Sequence, residues 1–263
     1  MIEPIEYIRK LEGKSNAHLI AFSDGKDYVV KYFQHGFEKS LPNEWVGYCL
    51  GRYLGLPIPY AKIVEIPQEF SSQLPELLQM SHTQYQFASL YVPNCLDGHQ
   101  VSSFPYIINH PSLAGIILFD YWLCNQDRTR KNILLREEIE DSYHLWIIDQ
   151  AEVFGSYNWQ QSDLENLPVE MIKSATHQIM VSFIEDEEQF FDQLKLIQTI
   201  PILLIEEIVE LIPDDWNVTK DEKKAIVSAL VTRRKKILPD LLHKFLKKIY
   251  RPLKENSINS QTR

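Results

Sequence analysis

The 263-residue chain is 44% hydrophobic and 24% charged, ordinary proportions for a folded globular protein with one large core or two modest ones. Its formal net charge of −9 disfavours broad nucleic-acid binding, which needs a positive surface. No apolar run is long enough to cross a bilayer, and the amino terminus MIEPIEYIRK lacks the basic and apolar regions of a signal peptide, so a cytoplasmic protein is expected.

Residues 5–8 begin a strand, a polar loop at 11–17 interrupts it, and HLIAF at 18–22 resumes it. Asp24–Gly25 is a turn signal and YVVKYF at 28–33 is strand again, so the chain starts as three antiparallel strands. The loop carries Gly13, Lys14, Ser15 and Asn16. Such a loop either presents backbone N–H groups to phosphate or simply turns the chain. Lys31 shares a face with Val29 and Phe33 by alternation. There it either snorkels to water or pairs with an acid and an anion.

Residues 41–57 are helical in pattern, begun near Asn43 and closed by Gly55 with Pro57 behind it. Val46, Cys49, Leu50 and Tyr53 form the core stripe. Glu44 projects elsewhere, on the side of Gly47 and Gly51. Either that face is closely approached, or Glu44 is an acid favourably placed at a helix N-terminus. Strands follow at 58–66 and 86–92, separated by a loop and a short helix, which makes residues 1–90 a small β-rich lobe. Beyond Pro93 the chain turns helical, giving a larger lobe over 91–255 and a disordered tail at 256–263.

The pattern Asp-x4-Asn occurs twice, at Asp120/Asn125 and Asp127/Asn132. Asp120 lies inside the apolar run SLAGIILFDYWLC, where a helical side chain is structural, and Asn125 suits a left-handed helix end. Asp127 falls in the loop beyond, where catalytic groups tend to sit. Apolar runs at 133–135 and 145–148 flank an acidic turn as a hairpin would, which brings Asp127, Asn132 and Asp149 to one edge. Oxygen-bearing side chains gathered this way suit a hard cation such as Mg²⁺. Helices are expected at 163–184, 187–212 and 220–249, and the basic run at 233–236 reads as a solvated face.

These pieces together resemble the HipA-like kinases, in the short form without the extra amino-terminal domain, within the protein-kinase-like and phosphatidylinositol-kinase-like superfamily. The resemblance rests on GKSNAHL at 13–19, DGKDYVVKYF at 24–33, NEWVG at 43–47, LGLPIP at 54–59, FDYWLCNQDR at 119–128, NILL at 132–135, IIDQA at 147–151 and IPDDW at 212–216. It implies an α+β, bilobal protein-kinase-like fold with ATP between the lobes. It further implies that Gly13, Lys14, Ser15 and Asn16 cover the phosphates, that Lys31 contacts them, and that Glu44 holds Lys31. Asp127 would orient the acceptor hydroxyl, while Asn132 and Asp149 would bind Mg²⁺. Adenine would meet the strand around Phe87, Ser89 and Leu90.

The implied activity is phosphoryl transfer from ATP to a hydroxyl, foremost a protein Ser or Thr. A small-molecule, sugar or lipid kinase and a nucleotide-binding pseudokinase are the alternatives. Relatives often show Asp-Arg-His before the Asn, whereas the third place here is Thr129, and Gln150–Ala151 replaces the Phe-Gly that often follows the metal-binding Asp.

Overall fold

The computed structural model describes residues 2–13, 15–78, 83–101 and 106–261, with side chains as far as Asn256. Lys14 lies outside the described residues. Strands β1 (Pro4–Lys10), β2 (His18–Phe22), β3 (Asp27–Lys31), β4 (Ala61–Glu65) and β5 (Tyr85–Leu90) build an antiparallel sheet in the order β1-β2-β3-β5-β4. Alternation sends Ile20, Phe22, Tyr28, Val30 and Ala88 to one face, packed under Leu77 and the segment containing helix α2 (Gln68–Ser71). Lys31, Phe33 and Phe87 take the opposite face, toward helix α1 (Ser40–Tyr53). This helix starts earlier than its sequence suggests, and Tyr53 is exposed rather than part of the core stripe.

His18 is a polar residue on the first face. It is fully buried, with Nδ1 3.2 Å from Tyr7 Oη and its ring edge-on to Tyr32. Burial, reinforced by Lys10, lowers its pKa from 6.5 to about 4. Between those values the unfolded chain takes up a proton that the folded chain refuses. The stability is therefore complete above about pH 6.5 and lost as the pH falls toward 4, by about 3 kcal/mol at roughly 1.36 kcal/mol per pKa unit. Urea unfolding across this range should show the slope in the native protein and its loss in His18→Gln. An unchanged slope would assign the acid sensitivity to other groups.

The second lobe opens with strands rather than helix. β6 (Cys95–Asp97) and β7 (Tyr106–Ile107) flank the hairpin of β8 (Ile133–Ile139) and β9 (Ser142–Ile147) in a sheet of order β6-β8-β9-β7. Strands of two and three residues are too short to show a period of two. Helix α3 (Leu113–Leu123) is buried along its whole length, in one core with Ile133, Leu135, Leu145 and Ile147 of this sheet.

The expected helix at 163–184 is two, α4 (Gln161–Glu165) and α5 (Ala175–Ser182), with Pro168 between them. Pro201 likewise divides 187–212 into α6 (Glu188–Thr199) and α7 (Ile202–Glu210). The last stretch runs through α8 (Lys220–Thr232), two π-helical turns, α9 (Leu238–Phe245) and α10 (Arg251–Gln261). Residues 256–261 are thus helix, where a disordered tail was expected.

The basic run also differs. Arg233 is buried and donates to the carbonyls of Tyr121 and Trp122 at 2.8 Å, satisfying the last turn of α3, and Arg234 donates to Ile200. No helix among the described residues is long and apolar enough to cross a membrane.

Candidate active site

The site grows from the end of α3. Cys124, not Asn125, takes the left-handed conformation that ends the helix, with φ 55. This frees Asn125 to bridge: its Nδ2 donates to Asp120 Oδ1 at 3.0 Å and its Oδ1 accepts from Asp127 N at 3.1 Å. The two Asp-x4-Asn pairs are therefore nested, the buried one supporting the accessible one. In the accessible pair Asn132 Nδ2 donates to Asp127 O at 2.6 Å and to Asp127 Oδ2 at 2.9 Å.

Arg128 locks this loop to the neighbouring strand. Its guanidinium is fully buried, paired through Nη2 and Nε with both oxygens of Asp120 at 3.0 and 3.1 Å. It also donates to the carbonyls of Asn132 (3.2 Å) and Ile148 (2.8 Å) and to Gln150 Oε1 (2.8 Å). His177 of α5 adds a contact from Nε2 to Asp120 Oδ2 at 2.9 Å. Burial would raise the pKa of Asp120, but Arg128 and His177 outweigh it and hold the carboxyl below its usual value. Sequence reasoning missed Arg128. The available signal was an acid inside a wholly apolar helix, which requires a buried counter-ion.

Asp149 follows β9 with φ 59, and Ile148 N donates to Asn132 O at 3.1 Å, so the two chain segments lie side by side. Across the cleft, Lys31 donates to Glu44 of α1 and, at 2.9 Å, to Asp149 Oδ1. The lysine is buried between these two acids rather than snorkelling. Burial opposes its charge, yet Asp149 and Glu44 raise its pKa above the ordinary value. Asp149 is held low by Lys31 against the effect of burial, while burial pushes Glu44 up. Glu44 can sit this deep because α1 packs closely: a Cβ on Gly47 would lie 2.7 Å from the Cβ of Gln150, and one on Gly51 would strike Ile58.

The loop before β2 is anchored from below, where Gln34 Nε2 donates to Ser15 O at 2.6 Å and Asn16 Nδ2 to Gln34 Oε1 at 3.4 Å. Gly13 has φ 133 and Asn16 φ 46, conformations that turn the backbone sharply. Phe87 pairs with Lys31 and Ile63, and Ser89 with Val29 and Ala61, so the backbone of β5 is committed on both edges. The N–H groups of Leu90 and Tyr91 are given to Tyr60 O (2.7 Å) and Asp27 O (2.9 Å). The chain leaves the sheet at 92–94. At the far end of β5, the IPDDW segment holds Tyr85: its N–H donates to Asp215 Oδ2 at 3.0 Å and its carbonyl accepts from Trp216 Nε1 at 2.9 Å.

Among the described residues no three His, Cys, Asp or Glu side chains form a cluster that could hold a metal by themselves. The donor set instead suits Mg²⁺, which takes few protein oxygens and keeps waters and phosphate oxygens. Asn132 turns its NH₂ toward Asp127, which leaves Oδ1 facing away from that residue, and Asp149 offers a carboxylate of which Lys31 engages only Oδ1.

A lysine paired with a helix glutamate thus stands opposite an Asp–Asn loop and a strand-end Asp. The family model for HipA-like kinases matches residues 5–247. The chain belongs to the HipA-like kinase family. Solved structures similar to this HipA-like chain include the Helicobacter pylori proinflammatory kinase CtkA. Its TM-score is 0.61 at 14% identity, covering 95% of this chain and 97% of that one. A Golgi casein kinase with Mn/ADP bound has a TM-score of 0.52 at 15% identity, covering 94% and 74% of the two chains. At such identities the likeness establishes the fold, the bilobal kinase-like α+β architecture. No curated protein matches the chain.

Proposed function

We propose that this HipA-like protein transfers the γ-phosphoryl group of ATP to a hydroxyl, with protein Ser or Thr as the acceptor. The observation that carries the reading is Lys31, buried and bonded at once to Glu44 and Asp149. That geometry holds a fixed positive charge beside Asp149, which supports a phosphate-binding role for Lys31. A transition state that spreads negative charge over phosphoryl oxygens is stabilised by such preorganised cations. A lysine buried between two acids also has no structural need to be there, since an apolar residue would fill the same space at less desolvation cost.

The remaining residues take roles consistent with their positions. Lys31, kept charged by its acids, meets the α and β phosphates, with Glu44 fixing its direction. The loop of Gly13, Ser15 and Asn16 covers the phosphates. Asn132 and Asp149 would hold Mg²⁺, which would neutralise charge on the phosphates. Asp127, half exposed and oriented by Asn132, accepts the hydroxyl proton. Adenine stacks beneath the face of Ser89 and takes its backbone hydrogen bonds from 92–94, because Phe87 to Tyr91 are engaged within the sheet. A protein acceptor agrees with the name of the Golgi casein kinase that shares the fold.

Incubation with labelled ATP in host extract tests this reading. Label in one or a few proteins is expected. Label confined to small molecules or lipids would replace the acceptor, and ATP binding without any transfer would replace catalysis by a regulatory binding role.

A further inference from the structure

Asn43 and Glu44, adjacent on α1, both face the segment that follows β9, Glu44 through Lys31 and Asn43 directly. Asn43 is completely buried. Its Nδ2 donates to three carbonyls of the chain following Asp149: Ala151 at 2.6 Å, Val153 at 3.0 Å and Ser156 at 3.0 Å. Its Oδ1 accepts from Trp159 Nε1 at 2.8 Å. Every polar atom of the side chain is thereby used on one nine-residue stretch, 151–159, and nothing is left over for the rest of α1.

Asp149 and Phe154, neither of them glycine, have φ values of 59 and 60. Left-handed conformations of this kind persist only where the surroundings over-determine them. Ala151 shows how the constraint is passed on. Its N–H donates to Asp149 Oδ1 at 3.3 Å while its carbonyl is held by Asn43. The Ala151 residue is thus clamped at both ends, and one end is the carboxylate that would bind the metal. Gly47, one helical turn beyond Asn43, lets Gln150 approach to the distance at which a Cβ would collide. The knot is closed by Lys39, which lies 4.8 Å above the Trp159 ring and donates to Glu222 at 2.9 Å.

We propose that Asn43 is a positioning residue for the metal site: through Ala151 it fixes the direction of the Asp149 carboxylate, and so sets the affinity for the divalent cation without touching the nucleotide. The proposal rests on the phosphotransferase reading above. It assigns to α1 two separable tasks on adjacent residues, Glu44 directing the phosphate-binding lysine and Asn43 directing the metal ligand.

The test measures Mn²⁺ binding to the protein–ADP complex by electron paramagnetic resonance, ADP binding in EDTA by calorimetry, and amide exchange over 150–156. Asn43→Leu keeps the volume and removes all four hydrogen bonds, and Trp159→Phe removes only the indole donor that orients the amide. Asn43→Leu is expected to weaken Mn²⁺ tenfold or more and Trp159→Phe a few-fold, with metal-free ADP affinity within twofold of wild type in both. Exchange over 150–156 should quicken in the same order. Variants that melt earlier yet bind Mn²⁺ like the wild type would overturn the proposal and leave Asn43 a purely structural residue. If Asn43→Leu does not fold, Trp159→Phe decides by the same criterion. A wild-type protein that binds neither ADP nor Mn²⁺ would instead remove the phosphotransferase reading itself, and this proposal with it.

Discussion

Asp127→Asn is expected to bind ATP as the wild type does and to transfer phosphate about 10²–10⁴-fold more slowly, the usual contribution of a positioned general base. The substitution is gentle on the structure. Asn132 Nδ2 donates to Asp127 Oδ2 and to its main-chain carbonyl, and an asparagine at 127 can still offer Oδ1 to the first and its unchanged carbonyl to the second. The contacts of Lys31 with Glu44 and Asp149 do not involve Asp127 and are kept. The variant therefore separates proton acceptance from nucleotide binding. Transfer of label from ATP, followed beside ATP affinity, reads both. Equal transfer by the two proteins would remove Asp127 from the mechanism.

Asp120→Ala is expected to destabilise the protein by about 3–5 kcal/mol, the range for breaking a buried ion pair from one side. Both oxygens of Asp120 are occupied by Arg128, and Asn125 and His177 share them. Removing the carboxylate leaves a fully buried guanidinium without its counter-charge and the loop before Asp127 without its anchor. For a chain of this size the loss corresponds to a fall in melting temperature of roughly 10 °C. Asp221→Ala is a useful contrast, because its partner Lys224 is exposed and the pair is screened by water. A change for Asp120→Ala no larger than that of Asp221→Ala would mean that Arg128 finds other compensation and that the network does not hold the loop.

The parts of the site that the sequence revealed are those whose cause is local. Lys31 stood out because strand alternation placed a charge among apolar residues, and Glu44 because two glycines shared its side of a helix. Asp127, Asn132 and Asp149 came from a helix end, a loop and a hairpin, all within about thirty residues of one another. The contacts that escaped notice are long-range pairings. Asn43 meets Ala151, Val153 and Ser156, which are more than a hundred positions away, and Tyr85 meets Asp215 and Trp216. No periodicity reports such contacts. Arg233 misled for a related reason: within a run of four basic residues it looks like its neighbours Lys235 and Lys236, which are exposed. Only the tertiary fold shows that it caps the last turn of α3. Which strands flank β5 is likewise a topological fact that its own sequence does not carry.

The central claim is that one nucleotide and one divalent ion sit between Lys31 and the Asn132–Asp149 edge. Thermal unfolding with ATP, with and without Mg²⁺, tests it most directly, because a ligand selective for the folded state raises the melting temperature. The wild-type protein should melt higher with ATP and higher again when Mg²⁺ is added, and Asp149→Ala should lose the Mg²⁺-dependent increment. An unchanged melting temperature at millimolar ATP, or an equal Mg²⁺ increment in Asp149→Ala, would contradict the account.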